Sequence, residues 1–295
     1  MADDMKNQTD NQVSPDEISL LEIWQVLVRH KKWVLGIPVL ALIAAAAVSA
    51  LIPPAWEATL VGQVGQVGQV GQVGQVGTQI EPLTNALERI KQKPFQSEVL
   101  ASMGIPLDEK NPKGTLYRDA LKVKILENTN LIEIKVRGHS REEAKRNAEA
   151  TLDHLAKIHE ELAKPTIQRQ AQQMERVKQQ INEVRKERES LKTAQPDKSK
   201  TDSGGRFMEN IIRANILIQR DGELRNLEQL KLSYEEQLSP LRTYPTSRIG
   251  STYVSEKPVA PKKRLIVVLS GVLGLMAGIF AAFVRNAIQA RKPRD

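Results

Sequence analysis

The residues from which chemistry could be built are few and scattered. His159-Glu160-Glu161-Leu162-Ala163 begins like the H-E-x-x-H helix of zinc proteases. There, two histidines one turn apart hold the metal and the glutamate activates water. Ala163 stands where the second histidine is needed, so the match fails. His154 and His159 are five residues apart and fall on different helix faces, so they are expected to be solvated. Glu142-Glu143 and Glu160-Glu161 sit in charged helical stretches and read as solvated faces rather than acid–base dyads. There is no G-x-x-x-x-G-K-[ST] phosphate cradle; Gly204-Gly205 lies in a polar stretch without the lysine. No G-x-S-x-G nucleophile elbow occurs. The absence of cysteine removes disulfides, thiolate metal sites and a cysteine nucleophile together. No catalytic residue, cofactor or metal is therefore expected, and no enzyme.

The elements around these residues are organised by two hydrophobic stretches at opposite ends of the chain. Trp33–Trp56 and Leu265–Val284 are uncharged. Each matches the roughly 20 apolar residues a helix needs to cross a bilayer. The first is too long for a signal-peptide core and is followed by Pro53-Pro54 rather than a cleavage site, so it should stay as an anchor. Trp33 and Trp56 suit the aromatic belt at its two ends. The net charge of +8 would suit nucleic acid, but its placement does not. Arg29, His30, Lys31 and Lys32 precede the first stretch, and Arg285, Arg291, Lys292 and Arg294 follow the second. Such clusters mark cytoplasmic flanks and attract anionic headgroups. Lys262-Lys263-Arg264 lie on the inner side of the second stretch, against the positive-inside rule. That rule weakens for long translocated domains. Both termini are expected in the cytoplasm and the central domain in the periplasm.

In chain order, residues 1–32 form a cytoplasmic segment. Ser14 and Glu17 make a capping box for an amphipathic helix bearing Leu20, Leu21, Trp24, Leu27 and Val28. After the first span (33–56), residues 57–164 read as an α+β domain. A strand from Glu57 runs into a Val-Gly-Gln repeat at 61–77. Period three fits neither strand nor α-helix. One or two copies should belong to the strand and the rest form a flexible insertion. Thr78 and Glu81 suggest a second capping box, Pro94 opens a short helix, and 105–119 read as loop. Alternating Leu121–Leu126 and Leu131–Arg137 around Asn128-Thr129-Asn130 predict a hairpin. Ser140 and Glu143 cap a helix with Ala144, Ala148, Thr151, Leu155, Ile158 and Leu162 on one face.

Pro165 kinks or restarts that helix. Beyond it, Ile167, Met174, Val177, Ile181, Val184 and Leu191 keep coiled-coil-like spacing. Pro165–Thr193 would reach roughly 40 Å as a helix. A largely charged helix of that length cannot bury itself, so it projects and packs on another helix or another subunit. The polar stretch 195–206 reads as a loop, and a helix bearing Phe207, Ile211, Ala214, Leu217, Leu224 and Leu227 returns, completing an arm over 165–240. Residues 241–264 form a proline-punctuated return containing Pro258 and Pro261, with Arg248–Val254 as a strand. In the second span (265–284), Gly271, Gly274 and Gly278 are prominent; Gly274-x-x-x-Gly278 permits close helix packing, with dimerisation set against the general frequency of small residues in membrane helices. The tail 285–295 is basic and too short for a signalling domain. That argues against a periplasmic sensor. An export-pump adaptor also uses a helical hairpin, but such adaptors usually have only the N-terminal anchor.

The order of several local stretches between two terminal spans resembles the Wzz-type chain-length determinants, or polysaccharide co-polymerases, of bacterial inner membranes. The matching stretches are Ile18–Trp24, Ala58 into the Val-Gly-Gln segment, Pro94-Phe95, Asn128–Ile134 leading to Ala144, and Lys257–Lys263. The expanded repeat departs from that pattern, and the fused tyrosine kinase of some relatives is missing with its P-loop. The resemblance implies a periplasmic α+β base with a protruding helical arm, assembled as a ring of protomers. It implies control of how many repeat units an inner-membrane polymerase adds to a lipid-linked O-antigen or exopolysaccharide. The growing glycan and a separate kinase or export protein are further partners it allows.

Overall fold

A computed structural model describes residues 20–69, 77–108, 110–194 and 203–290. The elements in chain order are α1 (Leu20–Arg29), α2 (Lys31–Leu51), β1 (Trp56–Gln63), β2 (Gln66–Val67), β3 (Thr78–Gln79), α3 (Leu83–Lys91) and α4 (Lys93–Ser102). They continue with α5 (Pro112–Ala120), β4 (Lys122–Ile125), β5 (Leu131–Gly138), α6 (Arg141–Thr193), α7 (Ser203–Leu238), β6 (Ser247–Val254) and α8 (Lys263–Ala290). They form two compact units, one of Met1–Pro54 with Val259–Asp295 and one of Ala55–Pro258.

In the first unit, α2 and α8 are long and apolar enough to cross a membrane. They pack antiparallel: Gly271 faces Leu42, Gly274 faces Pro38 and Ala41, and Gly278 faces Trp33 and Val34. Their outer surfaces expose Leu35, Leu40, Ile43, Val268, Leu273 and Phe280, which only a lipid-like solvent would favour. The short helix α1 packs against both. The capping box at Ser14 and Glu17 lies outside the described residues.

The second unit is built on an antiparallel sheet of order β4-β5-β1-β6. The period-two pattern of the sequence fixes its faces. Ile132, Ile134 and Val136 of β5 lie beside Ala58 and Leu60 of β1, all fully or nearly fully buried. Against this face pack α3, α4, α5 and the start of α6, through Ala86, Ile90, Phe95, Val99, Leu100, Tyr117, Ala144, Ala148, Leu152 and Leu155. Each large side chain buried this way contributes about 1.5–3 kcal/mol. The Tyr117 hydroxyl meets Thr151 Oγ1 at 2.8 Å, and burial pushes its pKa up to about 12 although that bond opposes the shift.

Several expectations are corrected here. Residues 112–119, read as loop, belong to α5, with Asn111 Oδ1 accepting from Lys113 N–H at 3.0 Å as its cap and Pro112 in its first turn. Thr78-Gln79 is a strand rather than a cap; Pro82 precedes α3. Residues 203–206, read as loop, already belong to α7. The α6 helix runs through Pro165 over 53 residues. Pro165 is on the exposed side, where the Glu161 carbonyl it leaves without a donor can meet water. The cap at Ser140 is formed: its Oγ accepts from Glu143 N–H (3.0 Å), and Glu143 Oε2 accepts from His139 N–H (2.9 Å).

Candidate functional site

The densest polar construction lies where the Val-Gly-Gln repeat, α6 and the segment before β6 meet. Gly65 N–H donates to Thr246 Oγ1 at 2.9 Å. Thr246 Oγ1 is also hydrogen-bonded to His159 Nδ1, and His159 Nε2 meets Glu81 Oε2 at 3.0 Å; a carboxylate can only accept, so Nε2–H donates to it, and with the ring neutral Nδ1 accepts from the Thr246 hydroxyl. Arg89 holds Glu81 through Nε and Nη2, the latter at 2.7 Å from Oε1. This direction of donation requires a neutral imidazole protonated on Nε2. Burial holds the His159 pKa below its ordinary value, and nearby Arg89 adds to this against the pull of Glu81. Burial alone would raise the Glu81 carboxyl, but its bonds from Arg89 and His159 outweigh that and leave it below the usual range.

The second and third repeat copies are held by backbone as well. Gln66 N–H and C=O exchange bonds with Tyr244 at 3.0 Å each. Gln66 Nε2 donates to the Arg242 carbonyl (3.1 Å), Gly68 N–H to Thr243 Oγ1 (2.9 Å), and Gln170 Nε2 to the Gly68 carbonyl (2.7 Å). These approaches need glycine. A Cβ on Gly65 would lie 2.6 Å from Thr246 N and 2.7 Å from the Tyr244 carbonyl oxygen, and one on Gly68 would collide with Gln237. The insertion reading is thereby corrected for Val64–Gln69, where Val64–Gly68 are buried. Residues 70–76 of the repeat lie outside the described residues.

His159 also corrects the solvated reading: its side chain is 0% exposed. The buried stripe of α6 runs Ala144, Ala148, Leu152, Leu155, His159 and Ala163, while Leu162 is half exposed. A three- to four-residue progression from Leu155 could have placed His159 on it. Its partners Glu81 and Thr246 are 78 and 87 residues away and carried no local signal. His154 is partly covered too, 2.8 Å from Glu98 and edge-on to Phe95. Chemically, the His159 group touches no solvent. It can join three segments but cannot reach a substrate. Among the described residues no three His, Asp or Glu side chains gather at metal-binding distance.

The arm residues singled out by spacing distribute along α6. Met174, Val177 and Ile181 pack on Leu224, Leu227 and Tyr234 of α7. Val184 is buried, and Ile167 and Leu191 are half-buried. Arg185–Glu228 (2.6 Å), Arg188–Asp221 (2.7 Å) and Arg220–Glu187 (3.1 Å) bridge the two helices at the exposed margins, each contributing about 0–1 kcal/mol. The seam between α6 and α7 is therefore filled within one chain. What remains open is the outer side of α7, with Phe207, Met208, Ile212, Ile218 and Leu232 exposed. Gly271, Gly274 and Gly278 are turned towards α2 of the same chain. Pro258 is exposed and Pro261 half-buried, ahead of α8.

Comparison with known proteins bears on two stretches of this chain. Residues 16–103 match the family described as "Wzz: Chain length determinant protein". Residues 229–287 match "GNVR: G-rich domain on putative tyrosine kinase". Between them the matched stretches hold both membrane-length helices and the hydrogen-bonded strands β1 and β6. Two curated relatives are both named "Putative tyrosine-protein kinase EpsB". The Ralstonia solanacearum protein is 34% identical over 85 residues, and that of Ralstonia nicotianae (strain ATCC BAA-1114 / GMI1000) is 33% identical. In each case the match covers 27% of this chain and 11% of the relative, so this chain spans only a small part of their length. Among solved structures, a full-length bacterial polysaccharide co-polymerase aligns over 94% of this chain and 100% of its own, with 15% identity and a TM-score of 0.43. A mutant of the Shigella flexneri lipopolysaccharide O-antigen chain-length regulator aligns over 70% and 100%, with 11% identity and a TM-score of 0.22.

Proposed function

We propose that this protein regulates the chain length of a lipid-linked surface or secreted polysaccharide, of O-antigen or exopolysaccharide type. It does so without chemistry of its own, as an oligomeric co-polymerase beside an inner-membrane polymerase. The observation that carries this reading is the chain-length-determinant match over residues 16–103. Two features support it. The buried His159 group joins segments, and its imidazole is closed to substrate. The arm buries its own seam yet leaves Phe207, Ile218 and Leu232 exposed on α7, an apolar surface suited to neighbouring protomers. Arg29, Lys31, Lys32 and Arg285 collect at one end of the α2–α8 pair, which favours that end as cytoplasmic and the domain between the spans as periplasmic.

The test is the size distribution of surface and secreted polysaccharide on gels, with and without the gene. A lost modal length with polymer still made is expected. Phe207→Glu with Ile218→Glu, which leave the internal seam intact, should shift the modal length and dissociate the oligomer together. An unchanged distribution in the deletion strain, or a dissociated oligomer with unchanged length, would overturn the reading.

A further inference from the structure

The two membrane-length helices of the first unit carry positive charge and no carboxylate side chain. No Asp or Glu occurs from Ile23 to Pro54 or from Val259 to Ala290. The second unit instead pairs cations with its own carboxylates, as in Arg137–Glu57 and Arg248–Glu149. The antiparallel packing of α2 and α8 brings Arg285 to the level of Arg29, Lys31 and Lys32, while Lys263 and Arg264 lie at the opposite end of α8. Trp33 is the first residue of the uncharged run in α2, and Arg285 is the first charge after the uncharged run of α8. The two meet, with the Arg285 guanidinium carbon 5.0 Å from the centre of the Trp33 ring. Arg29, Lys31 and Lys32 lie within four residues of Trp33 in sequence. Among the described residues none of these four cations forms an ion pair.

Beside that contact is a groove of about 560 Å³, lined by Trp33, Phe280, Ala281, Val284, Arg285, Ile288 and Gln289. Its walls are apolar except for the Arg285 guanidinium and the Gln289 amide, which follow one another at a helical turn's spacing. Phe280, Val284 and Ile288 follow one another at a helical turn's spacing and are all exposed, giving a strip along α8 in which Phe280 and Val284 lie on the uncharged side of Arg285 and Ile288 lies one turn beyond it. A free anion would find one cation and an apolar wall here. A soluble peptide would find no hydrogen-bonding edge. A molecule that is apolar along its length and anionic at the end level with Arg285 fits both features, and the phosphate-headed lipids of a membrane are of that kind.

We propose that this groove is a discrete site for one anionic phospholipid. An acyl chain lies along Phe280 and Val284, and the headgroup phosphate is bound by Arg285. The ring of Trp33 holds the guanidinium in place by cation–π attraction while its N–H edge stays free for phosphate oxygens. Lys31 and Lys32 add long-range attraction to the same headgroup. This site depends on α2 and α8 crossing a membrane and is independent of the chain-length reading.

The test uses the full chain reconstituted with phosphatidylcholine and phosphatidylglycerol, then extracted in mild detergent for native mass spectrometry. One phosphatidylglycerol per protomer should survive extraction. Arg285→Gln should weaken its retention at least about fivefold, the worth of one basic residue near an anionic surface. Arg285→Lys should fall between. Arg264→Gln, which removes a charge at the other end of the same helix, should leave retention unchanged. In a Trp24→Phe, Trp56→Phe background, phosphatidylglycerol with brominated chains should quench Trp33 fluorescence more than brominated phosphatidylcholine. Equal retention in Arg285→Gln and the unsubstituted chain, equal loss in Arg264→Gln, or equal quenching by the two lipids would overturn the proposal.

Discussion

Replacing His159 by Leu removes the middle of a three-bond relay. The Thr246 hydroxyl then loses its acceptor, and Glu81 Oε2 loses a donor. A neutral bond contributes about 0.5–1.5 kcal/mol and one to a charged group about 1.5–3 kcal/mol, so the expected loss is roughly 3 kcal/mol. Glu81 keeps Arg89, which prevents a full buried-charge penalty. For a unit of this size each kcal/mol moves the unfolding midpoint by about 2–4 °C, giving a fall of roughly 6–12 °C. The substitution should also change the pH dependence. The His159 pKa is lowered on folding, so the unfolded chain binds the proton more readily. The stability this represents is present above the ordinary value of 6.5 and is lost as pH falls from there towards the folded pKa. The lowered pKa of Glu81 acts in the same direction, but only below 4.5. Between pH 7.5 and 5, the unsubstituted protein should therefore lose up to about 1.4 kcal/mol per pH unit from this one proton. The Leu variant should lack that component. Circular dichroism melts of the full chain at pH 7.5, 6 and 5 measure both effects. A fall of under 2 °C at pH 7.5, or an unaltered pH slope, would refute the relay.

Gly65→Ala should cost about 1–3 kcal/mol, because its Cβ meets backbone that cannot swing aside. Gly205→Ala, in open space within α7, should be neutral or stabilising by up to about 1 kcal/mol; equal melts for the two variants would contradict the cradle. Deleting residues 70–75 leaves Gly68, Gln69, Val76 and Gly77 between the paired residues Val67 and Thr78. A four-residue connection is within the common range for hairpins, so the melt should move by no more than a few degrees; loss of the folded unit would show a structural role for the extra copies. Gly274→Leu should force α2 from α8, since even a Cβ there lies 2.8 Å from the Pro38 Cα. Retained cross-linking between cysteines placed at Ala41 and Gly271 would contradict that packing.

Local pattern carried much of this fold. Two uncharged runs of spanning length determine α2 and α8, because hydrocarbon leaves a helix no alternative partner for its backbone. Period-two alternation in β5 and the Ser140 cap of α6 are likewise set by neighbours in sequence. Helix α5 escaped notice because its residues are weak helix formers, and its Asn111-Pro112 start reads equally well as a turn. What only tertiary structure decided is which distant segments meet. The Val-Gly-Gln tract has no regular period, and its glycines suggest freedom until Tyr244 and Thr246 close over them from about 180 residues away. His159 looked like a solvent-facing residue on a charged helix until the stripe it shares with Leu155 was turned inward against Glu81. The choice of Gly274 and Gly278 to face α2 rather than a second chain was likewise made by packing. Sequence sets which surfaces must be covered. Burial of those surfaces against one another selects the partners, and no local pattern encodes that choice.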